Sequence, residues 1–159
     1  MTTVIEKPMM QPVIVAAGES RTAEPIRLMG QEIRIKVSGK DTRGNFAAGH
    51  LTVEPMCGPP LHVHSREDEW FYILKGEFTF EVDGNRVIAG PGSSVFAPRG
   101  IPHTFQNFTG SPIEALVMIT PADLERFFME ASAAQLSPQE IAGLFEPYGM
   151  TLLGPPLAV

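Results

Sequence analysis

Along most of the chain, apolar and polar residues alternate with a period of two. Ile33, Ile35 and Val37 alternate with Arg34 and Lys36, and Phe78, Phe80 and Val82 alternate with Thr79 and Glu81. This pattern predicts strands with one buried face. The runs Phe46–Val53, Glu69–Leu74, Ser93–Ala97 and Ile113–Thr120, rich in branched and aromatic residues, predict further strands. In the second of these, Glu69, Phe71 and Ile73 share one face, and Asp68, Trp70 and Tyr72 the other. Asp83-Gly84-Asn85 stands between two such segments and predicts a hairpin turn into Arg86-Val87-Ile88. After Thr120 the period changes. Thr120-Pro121-Ala122-Asp123 predicts a helix start with Thr120 at the cap, and Leu124, Phe127, Phe128 and Ala131 form its apolar face. We read that aromatic stripe as core packing. Ser137-Pro138-Gln139-Glu140 has the spacing of a capping box and predicts a second helix ending near Pro147.

Many short strands punctuated by Gly and Pro, followed by two helices, predict a mainly β fold. An antiparallel jelly-roll barrel of two facing sheets with two short C-terminal helices limits exposed strand edges. The chain divides into an N-terminal arm over 1–25, a β-barrel over 26–120 and a C-terminal helical extension over 121–159. The extension is expected to pack on the barrel or on a partner subunit, and the arm on a neighbouring subunit. A length of 159 residues suits one hydrophobic core.

Charge and composition remove several function classes. A formal net charge of −6 without a basic stripe argues against a nucleic-acid partner. No apolar run approaches the roughly 18 residues of a membrane span. The short apolar stretch Pro12–Ala17 follows Glu6 and Lys7 and does not read as a signal peptide. The single cysteine, Cys57, excludes an internal disulfide and reads as a small buried apolar residue, so a cytoplasmic location is expected.

Three of the four histidines fall in two tight clusters, His62-x-His64-x4-Glu69-x6-Gly76 and Gly92-x5-Pro98-x-Gly100-x2-His103-x3-Asn107. His62 and His64 are two apart, so on a strand their rings point the same way. Ser65–Asp68 reads as the connection that returns Glu69 beside them. Of the acids Glu67, Asp68 and Glu69, the sequence pattern favours Glu69 as the ligand because it leads an inward face. Glu67 is the alternative and reads as a solvated loop charge. Pro98–Pro102 marks a fixed turn that delivers His103. Asn107 reads as serving the backbone, and the remaining histidine, His50, as structural or exposed. Three imidazoles and a carboxylate are a common donor set for one first-row divalent ion, whether Fe, Mn, Ni, Co, Cu or Zn.

These clusters resemble the two signature motifs of the cupin superfamily, G-x5-H-x-H-x3,4-E-x6-G and G-x5-P-x-G-x2-H-x3-N. Every defined position of the second is present, and of the first only the opening glycine is replaced, by Met56. Fifteen residues, Glu77 to Pro91, separate the motifs, as in small bacterial single-domain cupins. The run Pro59–Tyr72 and the tail from Tyr148 to Leu157 further resemble the quercetin dioxygenase-like group. The resemblance implies that His62, His64, Glu69 and His103 hold one metal ion, and that the protein pairs as a homodimer.

It also implies an oxygen-dependent dioxygenase acting on an aromatic or enol-bearing small molecule. Glu69 would then double as catalytic base. Phe71, Ile73, Phe78, Phe80, Phe96, Phe105 and Met118 are candidate apolar walls for a flat substrate. Two other readings stand beside it. One is a non-catalytic small-molecule-binding cupin, although no DNA-binding helix-turn-helix segment accompanies the barrel. The other is a metal-dependent isomerase or decarboxylase, whose anionic substrate would need a cationic clamp. Arg66 and Arg99 are the basic residues beside the motif histidines, and both read as loop-surface residues.

Overall fold

A computed structural model describes residues 10–159. The strands β1 (Ile26–Leu28), β2 (Gln31–Val37), β3 (Ala47–Val53), β4 (Leu61–His64), β5 (Asp68–Lys75) and β6 (Phe78–Val82) are followed by β7 (Asn85–Ala89), β8 (Ser94–Ala97), β9 (His103–Gln106), β10 (Ile113–Thr120) and, near the C-terminus, β11 (Met150–Gly154). Two helices, α1 (Leu124–Ala133) and α2 (Pro138–Gly143), and a 3-10 turn at Glu146–Tyr148 lie between β10 and β11. Among the described residues the strands form two antiparallel sheets, ordered β1-β2-β3-β10-β5-β8 and β11-β4-β9-β6-β7. The fold is the mainly β jelly roll that the alternation predicts.

The alternation also places the core. Along β5, Glu69, Phe71 and Ile73 are buried, while Asp68, Trp70, Tyr72 and Leu74 face outward to varying degrees. Phe71, Phe78, Phe80 and Phe105 come from three strands of both sheets and pack with ring centroids 5.3–5.7 Å apart. Burying four such rings contributes substantially to the apolar energy of the barrel. At Gly76, φ is +73°, and a Cβ would lie 2.4 Å from Ile113 Cγ2. Only glycine turns the chain there from β5 into β6.

Three local features differ from expectation. First, α1 begins at Leu124, with Asp123 at the cap and no side-chain cap bond. Thr120 instead ends β10, and its hydroxyl donates to Asn45 O at 2.8 Å. Leu124, Phe127 and Ala131 are nonetheless buried, and the capping box of α2 forms between Ser137 and Glu140. Second, the α-helix stops at Gly143, and a 3-10 turn carries the chain past Pro147. Third, the tail contains β11, which joins the sheet beside β4. Of its residues only Met150 is buried, so no period-two signal marks it.

The arm's first nine residues lie outside the described residues. The rest of it has no strand or helix but is tied to the barrel. Arg21 forms a two-point ion pair with Asp41, and Lys36 donates to Ala16 O and Glu19 O. Among the described residues, no helix is long and apolar enough to cross a membrane.

Candidate metal centre

Both sheets build the site. In one sheet, β4 presents His62 and His64, and β9 sets His103 directly across from His62 in register. Glu69 comes from β5 of the facing sheet, so the cluster exists only once the sheets have packed. Main-chain bonds fix the approach. Met56 N donates to Asn107 O at 2.7 Å, Asn107 N to Cys57 O at 3.0 Å, and Gly100 N to His64 O at 2.8 Å. Asn107 serves the backbone as expected: its amide donates to Val53 O and Ser111 O, and its Oδ1 accepts from Thr109. Arg99 grips Asp68 through two nitrogens, which holds the Pro98–Pro102 turn against the start of β5.

The four expected donors converge: one ligand atom from each of His62, His64, Glu69 and His103 lies within 4.8 Å of every other. Nε2 of His62 is 3.1 Å from Nε2 of His64, and Nε2 of His103 is 2.8 Å from Glu69 Oε2. All four side chains are buried.

The backs of the rings explain why the Nε2 atoms point inward. His62 Nδ1 is 2.7 Å from Pro60 O, and His103 Nδ1 is 3.0 Å from Ile101 O. A carbonyl only accepts, so both Nδ1 atoms carry hydrogen. In an unprotonated ring, Nε2 is then a bare lone pair. For His103 that lone pair would face a carboxylate oxygen at 2.8 Å, and two acceptors sit that close only with positive charge between them. The donor set therefore fits a cation.

Without a metal ion, protons supply that charge. Burial alone would lower the His64 imidazole, but the facing carboxylates Glu69 and Glu67 outweigh it and push it up to about 9. Burial would likewise raise Glu69, yet the His64 charge and the hydrogen bonds of His103 and His64 hold it well below the usual carboxylate range. His62 has no such partner facing its Nε2. Burial, then the charges of His103 and His64, drive it down to about 3.

Glu67 overturns its reading as a solvated charge. It is 1% exposed, and its Oε2 lies 3.6 Å from His64 Nδ1, on the far side of that ring from the cluster. It is therefore not one of the converging donors. His50, by contrast, is only partly buried and pairs with Glu114 on the neighbouring strand at 3.0 Å.

A cavity of about 60 Å³ opens off the cluster, lined by His62, His64 and Glu69. Phe71 and Phe105 line it, as do Phe127, Phe128 and Phe145 from the C-terminal segment that roofs the barrel. Phe145 meets the His62 ring edge-on at 6.0 Å. The other expected wall residues lie elsewhere. Ile73, Phe78 and Phe80 are fully packed into the core beyond the cavity. Phe96 sits opposite Trp70 on the outer face and is 58% exposed, because its inward neighbour on β8 is Ala97. Met118 also pairs with Trp70 on that outward row and is absent from the lining. Sequence alternation alone assigns Phe96 and Met118 outward once the register is known. Of the roof phenylalanines, the sequence pattern reads Phe127 and Phe128 as core and does not mark Phe145.

Comparison with known proteins agrees with this geometry. Residues 49–119, from β3 to β10, match the family model described as a cupin domain. This stretch resembles a cupin domain. The cupin stretch is similar to the tetracenomycin polyketide synthase protein TcmJ of Streptomyces glaucescens, with 26% identity over 73 residues. That match covers 46% of this chain and spans about half (49%) of the relative. Among solved structures, the polyketide cyclase RemF of Streptomyces resistomycificus superposes with a TM-score of 0.54 and 28% identity, covering 70% of this chain and 80% of RemF. A predicted oxalate decarboxylase of Thermotoga maritima gives a TM-score of 0.62 at 24% identity, covering 69% of this chain and 99% of the other. At that identity the likeness shows the cupin fold alone.

Proposed function

We propose that this cupin is a metal-dependent enzyme acting on an aromatic or enol-bearing small molecule, with dioxygen as co-substrate. The observation that carries the reading is the convergence of His62, His64, Glu69 and His103 beside an apolar, aromatic-walled cavity. One divalent ion held by these four residues, when bound, would supply a Lewis acid that stabilises negative charge on a substrate oxygen. The cavity lining contains no lysine or arginine. Arg66 instead donates to Pro147 O and Arg99 pairs with Asp68, so neither offers the clamp that a sugar or dicarboxylate substrate would need.

Glu69 would serve as the base that takes the substrate's hydroxyl proton. It is too acidic for this while His64 carries a proton, since that charge holds it ionised. A divalent ion in place of that proton would hold it ionised as well, so Glu69 would act as base only by turning from the ion toward the substrate hydroxyl. The phenylalanine roof would exclude water during the reaction. A flat polyphenol exceeds the cavity of about 60 Å³, since pockets for such ligands run to roughly 300 Å³ or more. Entry would accordingly require displacement of the C-terminal roof.

A second reading has its own observation. The 28% identity with a polyketide cyclase supports a reaction at an enolisable carbonyl without dioxygen. Metal analysis of the purified protein, then oxygen uptake with flavonols and aromatic diols, decides between them. Uptake that requires the metal supports the dioxygenase, whereas anaerobic turnover of a poly-carbonyl compound supports the cyclase. Binding without turnover under either condition would leave a binding module. Glu69→Gln should keep the fold and lower turnover at least about a hundredfold. Full activity in that variant would remove the base role.

A further inference from the structure

All three cluster histidines must hold hydrogen on Nδ1 if Nε2 is to face a metal. Two are held by backbone carbonyls two residues earlier in the chain, Pro60 O for His62 and Ile101 O for His103. The equivalent position for His64 is taken by no carbonyl. His64 Nδ1 and Glu67 Oε2 are both buried, and neither has a hydrogen-bond partner within ordinary distance among the described residues. They face one another at 3.6 Å, a few tenths of an ångström beyond a hydrogen bond. Burying a carboxylate oxygen unpaired is costly, and the His64 ring is the group that faces it.

We propose that Glu67 is the positioning residue of His64: its carboxylate accepts the Nδ1 hydrogen and so fixes the tautomer and ring orientation that aim Nε2 into the cluster. A carboxylate behind a ligating imidazole also makes the ring a stronger donor than a carbonyl does. His64 would thus be the most tightly governed of the three rings. The turn that carries Glu67 is anchored for this task. Ser65 N and Oγ both donate to Gly149 O at 2.8 Å, and Arg66 donates to Pro147 O. The segment leading into β11 thereby fixes the loop that places the carboxylate. This inference rests on the metal-binding reading above.

The test titrates Zn²⁺ into the full-length parent, Glu67→Gln, Glu67→Ala and the exposed charge control Glu77→Gln, with affinity read by calorimetry. Nitrogen-15 NMR of the zinc-loaded proteins reads the histidine Nδ1–H signals. We expect a loss of affinity of about tenfold in Glu67→Gln and up to about a hundredfold in Glu67→Ala. The His64 Nδ1–H signal should shift or exchange out while those of His62 and His103 stay. Glu77→Gln should bind as the parent does. Parental affinity and an unmoved His64 signal in Glu67→Gln would overturn the proposal, as would an equal loss in Glu77→Gln, which marks a mere net-charge effect. Should Glu67→Ala fail to fold, the amide variant still decides. A parent that binds no zinc, cobalt or iron would sink the metal reading itself and this inference with it.

Discussion

The two ends of the barrel interior are built on the same strands and are almost equally dry, yet they need opposite things. β5 runs from Glu69 to Phe71 and Ile73, and β9 from His103 to Phe105. At one end, Phe71, Phe78, Phe80 and Phe105 are at most 5% exposed and satisfied by each other. At the other, His62, His64, Glu69 and His103 are at most 7% exposed, and their lone pairs converge. The apolar end stabilises the fold by packing alone. The polar end is compensated only by positive charge, whether proton or cation. Fold and site are thus separable in energy although they share a backbone.

The sharpest way to break this comparison is to remove one residue from each end. Phe78→Ala should cost roughly 3–5 kcal/mol of stability, through lost burial and the cavity left behind. Urea denaturation reads the loss, and the fraction still folded should bind metal with parental affinity. A fall in affinity among folded molecules would mean the two ends are coupled. His103→Ala should do the reverse. Four ligands share a binding energy of about 10–16 kcal/mol in structural zinc sites, so losing one costs roughly 3 kcal/mol, a hundredfold or more in affinity. Its denaturation midpoint without metal should move less than that of Phe78→Ala. Undiminished metal affinity in His103→Ala would remove the residue from the donor set.

The contrast between the ends also explains what the sequence discloses. Alternation exposes the apolar end because burial on one face of a strand writes itself into every second residue, as in Ile33 and Ile35 or Phe78 and Phe80. The donors were legible because histidine is rare in this chain and three of four occur at strand-compatible spacing. Glu67 was not, since an acid in a run of acids gives no sign of being buried. Only its place three residues after His64 hints at a contact. Phe96 and Met118 were misassigned because facing direction depends on register, which pairing across strands decides. β11 was missed because its exposed Leu152 and Leu153 break the alternation. The helix start was misplaced because Thr120 is drawn into β10 by pairing with Asp68, a tertiary contact that overrides local capping chemistry.

A subtler probe of the polar end is pH, applied to metal-free and metal-loaded protein side by side. His64 rises from an ordinary 6.5 to about 9 on folding. Below 6.5 both folded and unfolded chains hold that proton, and its stabilisation is fully present. It is lost as pH rises through about 9, because only the folded chain still binds the proton in between. His62 falls from 6.5 to about 3, so the unfolded chain takes up a proton in that window that the folded one refuses. Stability then falls as pH drops below 6.5. Glu69, held below its ordinary range, adds to the same acid limb. The metal-free protein should therefore be most stable near pH 6.5, with on the order of 2 kcal/mol lost toward either side. The metal-loaded protein should lose the alkaline limb, since the cation replaces the proton on His64. Melting temperatures from pH 4 to 9.5 test both curves. Rising stability of the metal-free form between pH 7 and 9 would contradict a protonated His64.

The smallest effect is expected at a position that belongs to neither end. Met56 occupies the place where the first cupin motif opens with glycine, and its backbone keeps the glycine conformation, with φ at +60°. The side chain is 60% exposed and so contributes little packing in return. A non-glycine residue in the left-handed region is strained by roughly 1–2 kcal/mol, and the larger unfolded-state entropy of glycine offsets part of the relief. Met56→Gly should therefore stabilise the protein by a net of about 0.5–1 kcal/mol in urea denaturation. Met56 N donates to Asn107 O in either case, so the tie between the two motifs survives the substitution. Metal affinity should not change. A loss of stability would show that the methionine side chain, and not the turn geometry, is what this position retains.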